Sequence, residues 1–253
     1  MASADMGKAY LANVQEKLAN VELRQAGNLR KAGAMMADAY QQDRLIHVYG
    51  GGGHTVMMVF EMFFRAGGLA NINPILGHDI SPVCQALKYL EVERTPGYAN
   101  GLIRYYEVGA GDLLIIFHNI GMNPTTIDAA DEAKRRGAKI IAISSSDWRK
   151  KLPLDHHIRH PTKKHLFEYA DLCIDDENPF GDADALVPGF DVPVGPTSTM
   201  IDAYIAHRMV MEAVAEMVRR GLAPPIFRSA NLPGGDEYNA ALLKRYKPRV
   251  KDL

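Results

Sequence analysis

Hydrophobic runs with the spacing of strands and of helices alternate along most of the chain. Five short apolar runs predict strands, at residues 45–49, 71–76, 112–117, 139–144 and 172–175. Between them, apolar residues at three- and four-residue spacing predict helices at residues 56–65, 83–90, 125–136 and 162–170. The run at 112–117 (DLLIIF) is almost continuously apolar, which is typical of a parallel strand covered on both faces. The alternation predicts a three-layer, doubly wound α/β fold with a five-stranded parallel sheet.

Helical patterns also stand at both ends of the chain. Residues 6–42 predict one long helix or a bent pair, with Leu11, Val14, Leu18 and Val21 on one stripe. That stripe needs a surface to cover, either in its own domain or on a partner subunit. Residues 197–220 predict a second long helix after a loop at 178–196, and 236–246 a short one. We expect one domain, divided into an N-terminal helical extension (1–42), a core (43–220) and a C-terminal tail (221–253).

Composition narrows the class of protein. The chain has 253 residues, 47% of them hydrophobic, which is enough to bury the core of one large domain. Its formal net charge of -1 gives no electrostatic case for binding nucleic acid or an acidic membrane surface. Cys84 and Cys173 have no metal-ligand spacing, so we expect free, buried thiols in a reducing compartment. No apolar run approaches the about 18 residues of a membrane span, and we expect a soluble, cytoplasmic protein.

Turns after three of the predicted strands indicate a binding site. The first contains four glycines, Gly50 to Gly53, followed by His54 and Thr55, and would bring backbone N–H groups close to a bound anion. The others are the turn at 118–123 (HNIGMN) and the serines at 144–146. Ligands of such sheets bind beyond the carboxyl ends of the strands, where these turns meet. The dinucleotide-binding fingerprint is not matched. The predicted binding residues are Gly52, Gly53, Thr55, His118, Asn119, Gly121, Asn123, Ser144, Ser145 and Ser146.

Glu61 is the candidate general base. It lies six residues after Thr55, about 9 Å along a helix at ~1.5 Å per residue, which suits a small ligand whose anion is held at the helix start. Alternatively, Glu61 and Arg65 form a surface ion pair, because such pairs are common at four-residue spacing.

The histidines carry weaker signals. The histidines of the segment 156–165 resemble a metal cluster, but they span a loop without a cysteine, so we expect a solvated loop with His160 and His165 as possible rim contacts. We expect no metal site and no cofactor. His207, on the last long helix, is expected in the core or at an interface.

The order of these segments resembles a known family. GGGGHT, FEMFFRAGG and DLLIIFHNIGMNPTTIDAADEAKRRGAKIIAISSS are similar to the SIS (sugar isomerase) phosphosugar-binding domain. RHPTKKHLFEYAD, VGPTST and SANLPGGDEYN resemble a branch distantly akin to phosphoheptose isomerase. One departure matters: SIS proteins usually carry S-x-S-G at the second turn, where this chain has His118, Asn119, Ile120 and Gly121. The loss of both serines bears on which anion is bound.

The resemblance implies an aldose–ketose isomerase that acts on a small phosphorylated sugar through an enediol. The isomerase domain of glucosamine-6-phosphate synthase carries a catalytic glutamate near the position of Glu61, and a histidine about sixteen residues later that the neighbouring subunit supplies. His78 is the matching candidate here, and His54 is the other candidate for ring opening or carbonyl polarisation. The alternatives are the same reaction on a sulfonated sugar and a non-catalytic sugar-phosphate-binding regulator. By analogy with SIS enzymes, we expect a homodimer or a dimer of dimers with active sites at the interface.

Overall fold

A parallel sheet forms the centre of the molecule. The computed structural model describes residues 5–81 and 85–253. In the sheet the strand order is β2-β1-β3-β4-β5, and every neighbouring pair is parallel. The strands are β1 (Ile46–Gly50), β2 (Ile72–Ile75), β3 (Leu113–Phe117), β4 (Lys139–Ser144) and β5 (Leu172–Asp175). The predicted doubly wound fold is confirmed. The strand order reverses between β1 and β3, which is where such sheets bind ligands.

Two long helices cover one face of the sheet. They are α1 (Met6–Gln41) and α7 (Ser198–Arg219), with the short α2 (Val56–Met62) beside them. Val14, Val21 and Leu29 of α1 are buried in the core that this layer shares with the sheet. The N-terminal stripe therefore covers the protein's own sheet, although Leu11 stays 56% exposed. The division of the chain at residues 42 and 220 remains a prediction.

The opposite face is covered by shorter helices. α5 (Pro124–Arg135) and α4 (Tyr98–Tyr105) pack with Tyr49, Leu114 and Ile116 of the strands into a second core. α3 (Ala86–Glu93) lies beside α5 at the carboxyl edge. The start of the predicted helix 83–90, with Cys84, falls outside the described residues. Alternating residues of each strand thus feed two cores, as expected for a sheet buried on both faces.

Some elements differ from their predictions. The predicted helix at 162–170 is wrong: its only helical part is a single 3-10 turn at Leu166–Glu168, because His165 caps that turn and the preceding residues form separate turns. α2 ends at Met62 because Phe63 is extended. The loop at 178–196 contains a two-stranded antiparallel ribbon, β6 (Ala183–Ala185) and β7 (Val194–Pro196). The remaining helices are α6 (Ser146–Lys151) and α8 (Gly235–Tyr246).

Two general properties follow from the described residues. Across residues 5–81 and 85–253, no helix combines the length and apolar character needed to cross a membrane.

Cys173 is a half-buried free thiol, and burial raises its pKa.

Candidate functional site

A cavity opens at the carboxyl edge of the sheet, at the point where the strand order reverses. Its volume is about 220 Å³, and its walls come from the turns after β1 and β3, from α3 and from the start of α7. The cavity brings together seven of the predicted site residues: Gly52, Gly53, His54, Thr55, His118, Asn119 and Asn123. Glu61, His78, Gly121, Ser144, Ser145 and Ser146 do not line it.

The glycines of the first turn are packed against protein atoms. A Cβ on Gly50 would lie 2.5 Å from the carbonyl oxygen of Thr55, and one on Gly51 would lie 2.8 Å from the His118 ring. Gly52, with φ of +142°, faces the carboxylate of Glu93. The sequence interpretation, which reserved these glycines for a ligand, is therefore corrected: at least three of them allow close approach of the chain to itself.

His118 is held by two internal hydrogen bonds. Its Nδ1 accepts from the backbone N–H of Gly121 at 2.8 Å, so the ring proton is on Nε2. That Nε2–H donates to Glu93 Oε1 at 3.2 Å, and both side chains are buried. Because both ring nitrogens are engaged, His118 orients Glu93 and presents no free donor to an anion. Glu93 was not predicted from the sequence.

Asn119 offers an acceptor to the cavity. Its Nδ2 donates to Asp176 Oδ2 at 2.7 Å and to Asp202 Oδ2 at 2.9 Å, which uses both N–H groups and leaves Oδ1. Burial raises the pKa of Asp176 to about 7, and burial followed by the charge of Asp176 raises the pKa of Asp202 well above its usual range. The expectation that Asn119 donates to an anion is therefore wrong for this arrangement.

Other predicted hydroxyl donors are also engaged. Thr55 donates to the carbonyl of Gly52 at 2.6 Å. Ser144, fully buried, donates to the carbonyl of Asn119 at 3.1 Å, and Ser145 donates to the carbonyl of Asn178 at 2.6 Å while capping α6. Ser144 and Ser145 were predicted to hold the anion, but in the structure their hydroxyl groups form hydrogen bonds with backbone groups of the protein.

Gly121 and Ser146 also have structural roles. Gly121, with φ of +68°, packs against Ser144 and His165, and a Cβ there would lie 2.9 Å from Cε1 of the His165 ring. The backbone N–H of Ser146 donates to Asp175 Oδ1 at 3.1 Å. Ser145 and Ser146 line a different cavity, beside α1. These residues shape the edge of the sheet without reaching the cavity at the reversal point.

Glu61 stands outside the cavity in a pair with a histidine of α7. Its Oε1 lies 2.6 Å from His207 Nε2, and it also contacts Arg65 one turn later. Both side chains are partly exposed, at 32% for Glu61 and 46% for His207. Burial, followed by the charge of Arg65, lowers the pKa of His207. His207 is thus not a core residue, and the Glu61–Arg65 ion pair is present together with a carboxylate–imidazole pair.

The other histidines are dispersed. His54 is exposed at the mouth of the cavity, and His78 is exposed on a 3-10 turn after β2. His165 is buried rather than solvated, and burial lowers its pKa to about 3. Within residues 5–81 and 85–253, no group of three or more His, Cys, Asp or Glu side chains could hold a metal ion.

Comparison with known proteins decides the family. The SIS domain matches residues 9–145, more than half of the chain. The chain belongs to the SIS family. Two similar proteins are UPF0309 proteins: that of Halalkalibacterium halodurans is 34% identical over 242 residues, covering 96% of this chain and 95% of the relative. That of Thermoanaerobacter pseudethanolicus is 34% identical over 248 residues, covering 96% and 98%.

Solved structures share the SIS fold at low identity. The phosphoheptose isomerase GmhA from Neisseria gonorrhoeae has a TM-score of 0.55 at 16% identity, covering 83% of this chain and 98% of its own. The NanR protein of Vibrio vulnificus, solved in complex with ManNAc-6P, has a TM-score of 0.51 at 11% identity, covering 99% of this chain and 70% of its own. At these identities the likeness shows the fold alone. The two neighbours are an isomerase and a protein bound to a sugar phosphate, so the SIS fold by itself does not fix the activity.

Proposed function

We propose that this protein is an aldose–ketose isomerase that moves a proton between C1 and C2 of a small sugar with a terminal anion, through an enediol. A phosphorylated sugar is the first candidate substrate. The observation that carries the proposal is the pair of Glu61 and His207, whose Oε1 and Nε2 atoms are 2.6 Å apart. Aldose–ketose isomerisation needs a base at carbon and an acid near the carbonyl oxygen, and a carboxylate with an imidazole can supply both.

The placement of this pair fits a ligand that extends from the cavity. Thr55 lines the cavity. Glu61 lies six residues later on α2, which places it about 9 Å from Thr55 along the helix axis at ~1.5 Å per residue. An anion in the cavity would leave the C1–C2 unit beside Glu61. His54, exposed at the mouth, and His78 remain candidates for ring opening or carbonyl polarisation.

A homodimer would complete this site. Phe60, beside Glu61 in the chain, is 50% exposed, and Met211, one turn after His207, is 65% exposed. Exposed apolar side chains next to a polar pair favour a partner surface that excludes water from it. We therefore place the active sites at the interface of a dimer, or of a dimer of dimers.

The same reaction on a sulfonated sugar is the second candidate. It is favoured by a specific observation: Thr55, His118 and Asn119 give their protons to protein acceptors, and the carboxylate of Glu93 is buried in the cavity wall. A sulfonate carries one negative charge, whereas a phosphate monoester carries almost two at neutral pH.

Solvent deuterium incorporation tests the function. Phosphorylated and sulfonated aldoses and ketoses are incubated in D₂O with the protein, and exchange at C1 and C2 is followed by NMR. We expect exchange with at least one compound and expect Glu61→Gln to lower its rate by about 10²- to 10⁴-fold, because the base is lost. Glu237→Gln, an exposed glutamate in the first turn of α8, is the matched control and should leave the rate unchanged.

Two results would contradict the proposal. An unchanged rate in Glu61→Gln would remove Glu61 from the mechanism. A compound that raises the melting temperature but exchanges no proton, across the whole panel, would favour a non-catalytic sugar-phosphate-binding regulator.

A further inference from the structure

We propose that Arg94 binds the anionic end of the ligand in the cavity at the reversal point, and that Glu93 beside it selects a singly charged anion, a sulfonate or a carboxylate, over a phosphate dianion. This inference rests on the proposed function only in placing the ligand's anion in that cavity, and among the two candidate substrates it favours the sulfonated sugar over the phosphorylated one.

Arg94 is a cation without a carboxylate partner. It follows α3 directly and is the only arginine or lysine among the described residues that line the cavity. Among residues 5–81 and 85–253, no carboxylate forms an ion pair with its guanidinium. Its Nε is buried and makes no hydrogen bond within the described part of the chain. A buried donor without an acceptor is unfavourable unless a ligand supplies the acceptor.

A second residue of the cavity wall also carries an unpaired donor. Nε1 of Trp148, on α6, is buried and makes no hydrogen bond in the described chain. Indole nitrogen is a donor only, and guanidinium presents a planar set of donors that can contact two oxygens of a carboxylate or of a sulfonate or phosphate group. Arg94, the cation of the cavity wall, therefore indicates an oxyanion ligand, and the unpaired indole of Trp148 in the same wall supports it.

The charges around the cavity limit the charge of the anion. The Glu93 carboxylate is buried, at 5% exposure, and faces Gly52. His118 brings no compensating charge, since its Nδ1 accepts a hydrogen bond from Gly121. The positive charge of Arg94 and the negative charge of Glu93 therefore nearly cancel. A second negative charge on the ligand would be repelled by Glu93, because buried charges are poorly screened by solvent and salt.

Asp182 changes this balance little. Its carboxylate also lines the cavity, but it accepts the backbone N–H groups of Thr197 and Ser198 and the Ser198 hydroxyl at the start of α7. Its charge is thus largely taken up by the positive end of that helix.

The test uses two small compounds that cannot isomerise. They are 2-hydroxyethanesulfonate, a monoanion, and 2-hydroxyethyl phosphate, mostly a dianion at pH 8, each titrated into the 253-residue protein with ligand-observed NMR. We expect the wild type to bind the sulfonate more tightly. Arg94→Gln should weaken the sulfonate by at least about tenfold, because a charge-assisted contact is lost. Arg30→Gln, an exposed arginine of α1, is the matched control and should not change either affinity.

Glu93→Gln separates anion selection from anion binding. Glutamine can still accept from His118 while removing the charge, so phosphate affinity should rise by about tenfold and sulfonate affinity much less. Arg94→Lys, which keeps the charge but loses the planar donors, should retain part of the binding, and the melting temperature of each variant verifies folding. Equal binding by Arg94→Gln and the wild type, no saturable binding by the wild type, or an unchanged phosphate-to-sulfonate ratio in Glu93→Gln would each overturn the inference.

The binding and the isomerase proposals fail separately. Anion binding that depends on Arg94 without proton exchange on any sugar supports this inference and contradicts the isomerase. Proton exchange that depends on Glu61, together with anion binding that is indifferent to Arg94, overturns this inference alone.

Discussion

At the scale of residues, the chemistry of the site depends on which acceptors its polar side chains donate their hydrogen bonds to. The sequence predicts that the turns after β1 and β3 meet, because parallel strands place their carboxyl ends on one edge, and seven predicted residues do line one cavity. It could not predict that Asn119 gives both N–H groups away, since the acceptors lie 57 and 83 positions later in the chain. The type of a residue tells whether it can donate a hydrogen bond, but residues distant in the sequence determine which acceptor receives it.

The buried pair of Asp176 and Asp202 predicts a pH effect on stability. Their pKa values are raised in the folded protein, to about 7 for Asp176, so between about pH 4 and pH 7 the folded state binds more protons than the unfolded state. The pair's contribution to the free energy of unfolding therefore falls as pH rises above about 4. It stops falling once the pH exceeds the pKa values of the folded state.

Asp202→Asn should weaken that pH dependence. The asparagine can still accept from Asn119 but removes one charge, so the variant should gain stability relative to the wild type as pH rises from 5.5 to 8.5. The gain per pH unit is at most about 1.4 kcal/mol, measured by urea unfolding. Asp236→Asn, at an exposed position in the first turn of α8, is the control. Parallel pH profiles for Asp202→Asn and the wild type would contradict the argument.

At the scale of elements, the sequence predicts strands better than short helices. All five strand runs are confirmed, because buried parallel strands are continuous apolar runs. α4 was missed although Ala99 and Ile103 stand four apart and are both buried, a signal that was available in the sequence. The helix at 162–170 was overpredicted because the His165 ring accepts the backbone N–H of Phe167 and so begins a short 3-10 turn at Leu166, which a spacing pattern cannot reveal.

The crossing of α1 and α7 predicts opposite effects for two glycines. A Cβ on Gly33 would lie 2.7 Å from the backbone carbon of Glu212 and 2.8 Å from the nitrogen of Ala213, whereas a Cβ on Gly27 of the same helix meets nothing within 4 Å. Gly33→Ala should lower the free energy of unfolding by about 1–2 kcal/mol, because overpacking exceeds the gain in helix propensity. Gly27→Ala should raise it by up to about 1 kcal/mol. Urea unfolding measures both, and equal effects would show that the helices separate freely at Gly33.

At the scale of the whole molecule, the proposed dimer predicts that one surface controls both assembly and activity. Met211→Glu places a charge on the exposed apolar surface beside His207 and should shift the protein from dimer to monomer in light scattering after size-exclusion chromatography. Proton exchange should fall with it. Leu154→Glu, which charges an equally exposed apolar side chain elsewhere on the surface (65%), is the control and should leave the assembly unchanged. A monomeric wild type with full activity would contradict the interface site.

The architecture of the molecule is easier to predict from the sequence than a subunit interface is. The periodicity of the elements follows from burial within one chain, and it could be read from the sequence. An interface between subunits uses the same exposed apolar residues that occur singly on any surface, so Phe60 and Met211 carry no separate signal. Only their position beside Glu61 and His207 in three dimensions distinguishes them.

The pairing of α1 with α7 also affects how the chain emerges from the ribosome. The two helices are in extensive contact, yet α1 ends at Gln41 and α7 begins at Ser198. At a synthesis rate of ~5–20 residues per second, the first helix waits roughly 8 to 30 s for its partner. During that interval the strands of the sheet can cover one side of α1, but the side that packs against α7 stays exposed to solvent and to other chains.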